Sequence, residues 1–405
     1  MKILFIHHRF PGQFVPLVEG YLAAGAQVVA ICHTPERTAL AAATWSQIRL
    51  MTCDPVQHTA KAMAGGYSQE WLAGSLRVRN RLLQLRQQGF YPDVCLTHIG
   101  FGDGLFVKDI FPETRCLAYC EYYYHAAHSD LDFDPEFSVP DSGRVDIKTP
   151  NAYTLLALND ADAAVSPTEW QKRRFPPACQ PRIAVIHEGV DTRRCRPDAS
   201  ACFTLNNGQV LRHGDEVVTY ATRNLEPYRG FHSFMRTLAV LMQRRPRLQV
   251  VIAGGDEVSY SRPLPEGQTY RETFLAEPGL DRSRLHFVGH LPFDAYCRLL
   301  QVSRVHVYLT VPFVLSWSLL EAMACQCAIV ASDTEPVREV LRDGYSALTG
   351  DFFNPEQLAS QIERLLLDAE LRVRLSTQAR RTVVERYNRD HTFDSYQDLL
   401  KRITP

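Results

Sequence analysis

Two stretches in the second half of the chain carry residues suited to gripping a diphosphate. In Tyr220-Ala221-Thr222-Arg223-Asn224-Leu225-Glu226-Pro227-Tyr228-Arg229-Gly230-Phe231, Arg223 closes a predicted strand and Arg229, six residues on, opens the following helix. Two guanidinium forks at such a junction neutralise a diphosphate bidentately, although arginines in loops are also ordinary surface charge. In Val305 to Cys325 a strand runs through a loop into a helix beginning at Ser316 or Trp317. The backbone N–H groups at Ser316, Trp317, Ser318 and Leu319, together with the positive end of the helix dipole, attract phosphate. Glu321 lies about one turn inside. Its carboxylate would repel phosphate but accept hydrogen bonds from ribose hydroxyls; alternatively it offsets the helix dipole.

Polar residues also follow the predicted strands of the first half. Gly12, in Phe10-Pro11-Gly12-Gln13, lets backbone come close to a ligand, although Pro-Gly is an ordinary turn signal as well. His7, His8 and Arg9 share that strand end, with Arg9 placed to meet a phosphate. His98 and Glu121 close two further strands. Glu121 can work within hydrogen-bond reach of a ligand hydroxyl or be satisfied by the neighbouring tyrosines, and His98 divides between ligand contact and a structural strand-end bond. Gly100-Phe101-Gly102 begins like a dinucleotide fingerprint, but Leu105 stands at the third glycine, which disfavours a nicotinamide site. The acidic run Asp130 to Glu136 suggests a hard cation, yet Pro135 stands where a calcium loop needs glycine. Arg77, Arg79, Arg81 and Arg86, interleaved with leucines, form a basic amphipathic face suited to anionic lipid or to solvent.

Short apolar runs of strand length alternate with helix-period stretches, the pattern of parallel sheets covered by helices on both faces. Strands are predicted at Lys2–Ile6, Gln27–Cys32, Val94–Thr97, Cys116–Cys120, Ala161–Val165 and Ile183–Ile186, and again at Val217–Ala221, Leu248–Ile252, Leu285–Val288, Val305–Leu309 and Ala328–Ala331. Helices are predicted at 13–24, 71–88, 152–159, 231–244, 293–301, 317–325 and 356–385. The rhythm lapses over 189–214, which places a boundary between residues 1–195 and 196–380. Two doubly wound α/β halves hold ligands at the carboxyl ends of their strands, so the site is expected in the cleft between them.

The chain has 405 residues, 45% of them hydrophobic, and its 44 Lys and Arg nearly cancel 45 Asp and Glu. That balance excludes a disordered polyelectrolyte and gives no support to a nucleic-acid partner. Eleven cysteines without a CxxC pair fit a reduced cytosolic setting. The apolar start is too short for a signal-peptide core and no run approaches the ~18 apolar residues of a membrane span, so the chain reads as soluble.

Ser318-Leu319-Leu320-Glu321-Ala322-Met323-Ala324-Cys325, the arginine pair, Ile186-His187-Glu188-Gly189-Val190-Asp191 and Ala161-Asp162-Ala163-Ala164-Val165-Ser166 together resemble the retaining family 4 glycosyltransferases of GT-B architecture. The resemblance implies two Rossmann-like domains facing across a cleft, an acceptor side in 1–195 and a nucleotide-sugar side in 196–380. It also implies a closing helix, 381–405, that packs back toward the first domain. Arg223 takes the family's Arg position, Arg229 its Lys position and Glu321 its ribose-binding Glu. Gly12 matches the glycine loop near the donor. Glu121 stands where many members have His and, with His98, is expected to position the acceptor hydroxyl, stabilise an oxocarbenium-like transition state or act as a base. The acidic run then reads as a mobile acceptor loop. No cofactor and no metal are expected. The expected partners are a nucleotide-sugar donor and a glycan or lipid-linked acceptor, with peripheral contact at the inner face of the membrane. One departure stands out: Phe313 occupies the first Glu of the Glu-x7-Glu motif. It keeps a second reading open, a catalytically silent nucleotide-sugar-binding or scaffolding protein; a phosphorylase or epimerase on this fold is a third.

Overall fold

The computed structural model describes residues 1–53 and 67–402, so the last three residues of the expected closing helix lie outside the described residues. The chain forms two compact units. Met1–Leu131, Val139–Gly189 and Arg389–Pro405 make the first; Asp132–Ser138 and Val190–Asn388 make the second.

The first unit is built on seven parallel strands: β1 (Lys2–Ile6), β2 (Gln27–Cys32), β3 (Ile48–Thr52), β4 (Val94–His98), β5 (Arg115–Tyr119), β6 (Ala163–Ser166) and β7 (Ile183–Val185). They lie in the order β3-β2-β1-β4-β5-β6-β7. Successive side chains of one strand enter different cores. Ile3, Phe5, Val28 and Ala30 join one buried cluster, whereas Leu4, Ile6, Val29 and Ile31 join another. Burial on both faces is why these strands read as unbroken apolar runs.

In the second unit a small antiparallel hairpin of β8 (Cys202–Thr204) and β9 (Val210–Arg212) precedes six parallel strands. These are β10 (Val217–Asn224), β11 (Gln249–Gly255), β12 (Leu285–Gly289), β13 (Val305–Tyr308), β14 (Ile329–Ser332) and β15 (Leu348–Gly350), ordered β12-β11-β10-β13-β14-β15. In each sheet the strand order reverses beside the first strand, between β1 and β4 and between β10 and β13. Ligands of doubly wound folds bind beyond the carboxyl ends at that switch point.

The predicted strands all form, with ends shifted by a few residues, and among the described residues four strands come in addition. β3 and β15 are edge strands, and Ile48-Arg49-Leu50-Met51-Thr52 interrupts its apolar residues because part of the strand faces solvent. The hairpin occupies a stretch expected to be irregular, closing where Asn206-Asn207-Gly208 signals a turn. The expected 356–385 helix is two, Pro355–Leu367 and Ala369–Arg386. Asp368 breaks it by leaving the helical conformation and accepting the Leu371 N–H at 2.9 Å as a cap.

The acidic run is also different from the expected mobile loop. Its residues 132–138 belong to the second unit, where the Phe133 ring packs on Phe352 and Phe353, and Phe137 on His232, Tyr270 and Phe274. Buried Asp134 lies 3.0 Å from His232, and Glu136 receives both Arg236 nitrogens at 2.8 and 2.9 Å. The Asp134 and Glu136 carboxylates are therefore spent on internal partners.

The Thr392–Arg402 helix packs on the first unit through Phe393, whose ring meets Tyr21 edge-on at 5.2 Å. Gly20, in the Val15–Ala23 helix, makes the room: a Cβ there would stand 2.3 Å from the Phe393 ring. Gly to Ala inside a helix normally stabilises by up to about 1 kcal/mol. Here Gly20→Ala should instead destabilise by about 1–3 kcal/mol through overpacking, read as a lower urea midpoint, and Phe393→Ala in the same chain should recover part of the loss. A stabilised single variant would contradict this packing.

Candidate functional site

In the second unit the expected residues lie at the end of β10 and in the elements that follow β10 and β13. Arg223, near the end of β10, is exposed. Arg229 is not: it is 8% exposed, and its Nη1 donates to Thr310 Oγ1 at 3.1 Å and to the Val314 carbonyl at 2.9 Å. Its guanidinium carbon also lies 5.3 Å from the Tyr260 ring centre and 5.7 Å from that of Phe313. Tyr228, Tyr260 and Phe313 meet one another at 5.1–5.3 Å between centroids. Phe313 therefore offers a π face to a buried cation where a carboxylate was expected to act on the ligand. Glu226 anchors this arrangement, its Oε2 accepting the N–H groups of Ser259, Tyr260 and Ser261 at 3.2, 2.9 and 2.8 Å. The two guanidinium forks thus differ in kind, Arg223 open to solvent and Arg229 built into the 310–314 loop.

The helix expected near Ser316 spans Trp317–Ala324, with Ser316 as its cap. Three of its first N–H groups are not free as expected. The Ser316 N–H donates to the Tyr308 hydroxyl at 2.9 Å, the Ser318 N–H to Ser316 Oγ at 3.3 Å, and the Leu319 N–H to the Ser316 carbonyl at 3.2 Å. A phosphate at this end would share or displace the Ser316 hydroxyl. Trp317, 38% exposed, marks the open side, whereas Leu319 is wholly buried. Burial pushes the Glu321 carboxyl up to about 7; the Tyr296 hydroxyl pulls the other way and the Cys297 thiol adds to the rise. Cys195 and Cys297 lie near it with sulfurs 3.9 Å apart, a grouping that sequence spacing of about a hundred residues gave no reason to expect.

In the first unit His7, Gln13, Glu121 and His98 form one hydrogen-bonded row at the carboxyl edge. His98 Nδ1 accepts the Gly100 N–H at 3.2 Å, which assigns the proton to Nε2 and lets it donate to Glu121 Oε2 at 3.2 Å. His7 Nδ1 accepts the Arg9 N–H at 2.9 Å, so Nε2 donates to Gln13 Oε1 at 2.7 Å, and the Gln13 amide donates to Glu121 Oε1 at 2.6 Å. Burial alone would raise the Glu121 carboxyl, but His98, His7 and Gln13 outweigh it and hold the group below the usual carboxylate range. Burial, with His98 nearby, pushes the His7 imidazole down to about 3, leaving it neutral. Glu121 is thus a fixed anion tied through both oxygens, which suits charge stabilisation better than proton abstraction, since a low pKa makes a weak base.

Gly12 adopts φ +49°, and a Cβ there would meet the His7 ring at 2.4 Å. Its lack of a side chain lets the Pro11–Gln13 turn lie against His7 and deliver Gln13 to Glu121. Gln13 sat inside the motif singled out from sequence; its role appears only through a contact 108 residues away. His33 directly follows β2 and Asp103 lies beyond the Ile99–Phe101 turn after β4; neither carries a local sequence signal.

Residues 24–195 match the family described as glycosyl transferase family 4 group, and residues 205–382 the family described as glycosyl transferases group 1. Among curated proteins, the putative glycosyltransferase EpsD of Bacillus subtilis is 27% identical over 225 residues, covering 54% of each chain. D-inositol 3-phosphate glycosyltransferase of Rhodococcus jostii is 27% identical over 228 residues, 55% of this chain and 48% of that protein. The matched part thus spans about half the length of these relatives. Among solved structures, Anabaena HepE in complex with UDP superposes with a TM-score of 0.69 at 15% identity, covering 99% of this chain and 100% of that one. Sucrose-phosphate synthase of Thermosynechococcus elongatus reaches 0.73 at 15% identity, covering 100% and 99%. At such identity these two likenesses speak for the fold, the GT-B architecture of paired Rossmann-like domains, while the two family matches, which between them take in most of the sequence, carry the classification: the chain belongs to the family 4, group 1 glycosyltransferases.

Proposed function

We propose that the protein transfers a sugar from a nucleoside diphosphate donor to a hydroxyl of a glycan, lipid-linked or other acceptor, with retention of anomeric configuration and without a metal at the donor site. The observation that carries this reading is the setting of Arg223, Arg229 and the capped Trp317–Ala324 helix beyond β10 and β13, in the unit that matches the group 1 family. The bond from the sugar's anomeric carbon to the diphosphate oxygen breaks with its electron pair on the diphosphate, the acceptor hydroxyl oxygen forms the new bond to that carbon, and the hydroxyl proton passes to the departing diphosphate oxygen. Catalysis then rests on stabilising the leaving charge, supplied by the exposed Arg223 fork and the helix end, while buried Arg229 holds the 310–314 loop in place and adds its charge. Glu321 accepts from the ribose hydroxyls. In the first unit, Glu121, an anion held by His98 and Gln13, is assigned to stabilising positive charge that develops on the sugar and to orienting the acceptor. HepE has been solved with UDP-glucose as well as UDP, which makes those two the first ligands to try.

Phe313 favours a second reading, a protein that binds the donor but does not transfer it. Its ring is spent on Arg229 and two tyrosines, so the family's first carboxylate has no counterpart at that position. Incubation with nucleotide sugars separates the two readings. Transfer gives nucleotide release that rises with added acceptor; donor binding without release, with or without acceptor, would instead establish the silent protein.

Arg223→Ala should weaken UDP binding by roughly 10- to 100-fold, the loss of one charge-assisted contact, and lower turnover at least as much. Calorimetry showing unchanged affinity would remove Arg223 from the donor site. The carboxyl of Glu321 is protonated below about pH 7 and anionic above it. Ribose hydroxyls donate to the anion, so UDP affinity should climb between about pH 6 and pH 8 as the proton leaves, and Glu321→Gln should lose that climb. A pH profile identical in the two proteins would rule out a ribose contact for Glu321.

A further inference from the structure

We propose that His8, His33 and Asp103 form a binding site for one divalent transition-metal ion. The three residues follow β1, β2 and β4, adjacent strands, so the sheet delivers their side chains to one stretch of its carboxyl edge. One nitrogen from each histidine and one carboxylate oxygen lie within 4.8 Å of one another. His33 Nε2 is 3.2 Å from Asp103 Oδ1, and His8 Nδ1 is 3.8 Å from Asp103 Oδ2. Donors held about 2.0–2.2 Å from a common ion stand roughly 3–3.5 Å apart; the His33–Asp103 pair already has that spacing, and rotation of the part-exposed His8 ring would close the wider separations.

Satisfaction of the buried groups points the same way. Asp103 is 1% exposed and His33 3% in their side chains, yet Asp103 Oδ2 has no hydrogen-bond partner among the described residues, only the His8 ring at 3.8 Å. A buried carboxylate oxygen left in this state has lost its hydration without compensation, which a cation shared with the histidines would supply. The surroundings are preformed. The His8 ring stacks on His33 at 4.7 Å and lies against Phe101 at 4.9 Å. Gly74 of the Tyr67–Gln87 helix borders the cluster, and an added Cβ there would make ordinary van der Waals contact with His33 and Asp103 at 3.6–3.8 Å.

Two imidazoles with one carboxylate select zinc, cobalt, nickel, iron or manganese over calcium and magnesium, which prefer oxygen throughout. Three protein ligands leave further positions for water, reached past His8, whose side chain is 28% exposed. The site is built wholly from residues of the first unit, and the inference does not depend on the proposed transfer reaction.

The test titrates the full chain, freed of metal by a chelator, with Co(II) followed by visible absorption and with Zn(II) followed by calorimetry. One saturable ion per chain with a ligand-field spectrum is expected. His8→Ala and Asp103→Asn should each weaken binding at least about 100-fold, since even changes behind a metal's ligands cost 10- to 100-fold; His290→Ala, at an exposed histidine elsewhere, should leave it unchanged. Circular dichroism checks the fold of each variant. If Asp103→Asn does not fold, His8→Ala decides the matter, because its ring is the most open of the three. Absence of saturable binding of either ion to the folded chain, or binding that survives His8→Ala, would overturn the site and leave a hydrogen-bonded His-Asp-His cluster.

Discussion

Within each of the two large sheets the strands run parallel to one another, and that constraint governs where chemistry can occur. Parallel strands end on a common edge, and whatever side chain follows each strand joins its neighbours there without any need for proximity in sequence. His7 and His8 after β1, His33 after β2, His98 ending β4 and Glu121 after β5 meet for this reason alone. The second sheet does the same with Arg229, which follows β10, and Thr310, which follows β13. Because both faces of the sheets are covered, the edge is where polar groups escape the core while remaining shielded enough for electrostatics to be strong.

Shielding explains why similar residues behave so differently. Glu121 and Glu321 are both carboxylates in low-dielectric surroundings. The first has a histidine and an amide donating to its two oxygens and is held anionic; the second has mainly a tyrosine hydroxyl and is carried up to about 7. The arginines diverge by the same logic. Exposure leaves Arg223 available, whereas Arg229 is desolvated and needs Thr310, Val314 and two aromatic faces to be tolerated inside. Phe313 belongs to that requirement, which gives a physical reason for an aromatic ring at this position.

The α/β alternation was legible because doubly covered strands are apolar throughout, a signal that needs no partner to be recognised. Edge strands such as β3 and β15 lack it, and Asp368 hides its break inside a continuous helical period because a cap acts through three residues only. At the candidate site, residue types at strand ends could be read, and with them Gly12, His98, Glu121, Arg223, Arg229 and Glu321. Their states could not. Whether a guanidinium is open or enclosed depends on Tyr260 and Phe313, which come from different loops, and whether Glu121 is anionic depends on Gln13. His33 and Asp103 escaped notice for a related reason: each is an unremarkable polar residue until β1, β2 and β4 are laid side by side.

The interleaving of the chain has a consequence for dissection. Residues 132–138 depart from the first half of the sequence to complete the second unit, and the last helix returns from the far terminus to cover Tyr21 of the first. A fragment severed in the 189–190 region would therefore carry Phe133 and Phe137 without the aromatic bed that holds them, and would lack Phe393. The remaining piece would display that bed uncovered. Neither fragment owns a full set of apolar contacts, so the halves should be sticky when made apart and should recover by complementation when made together.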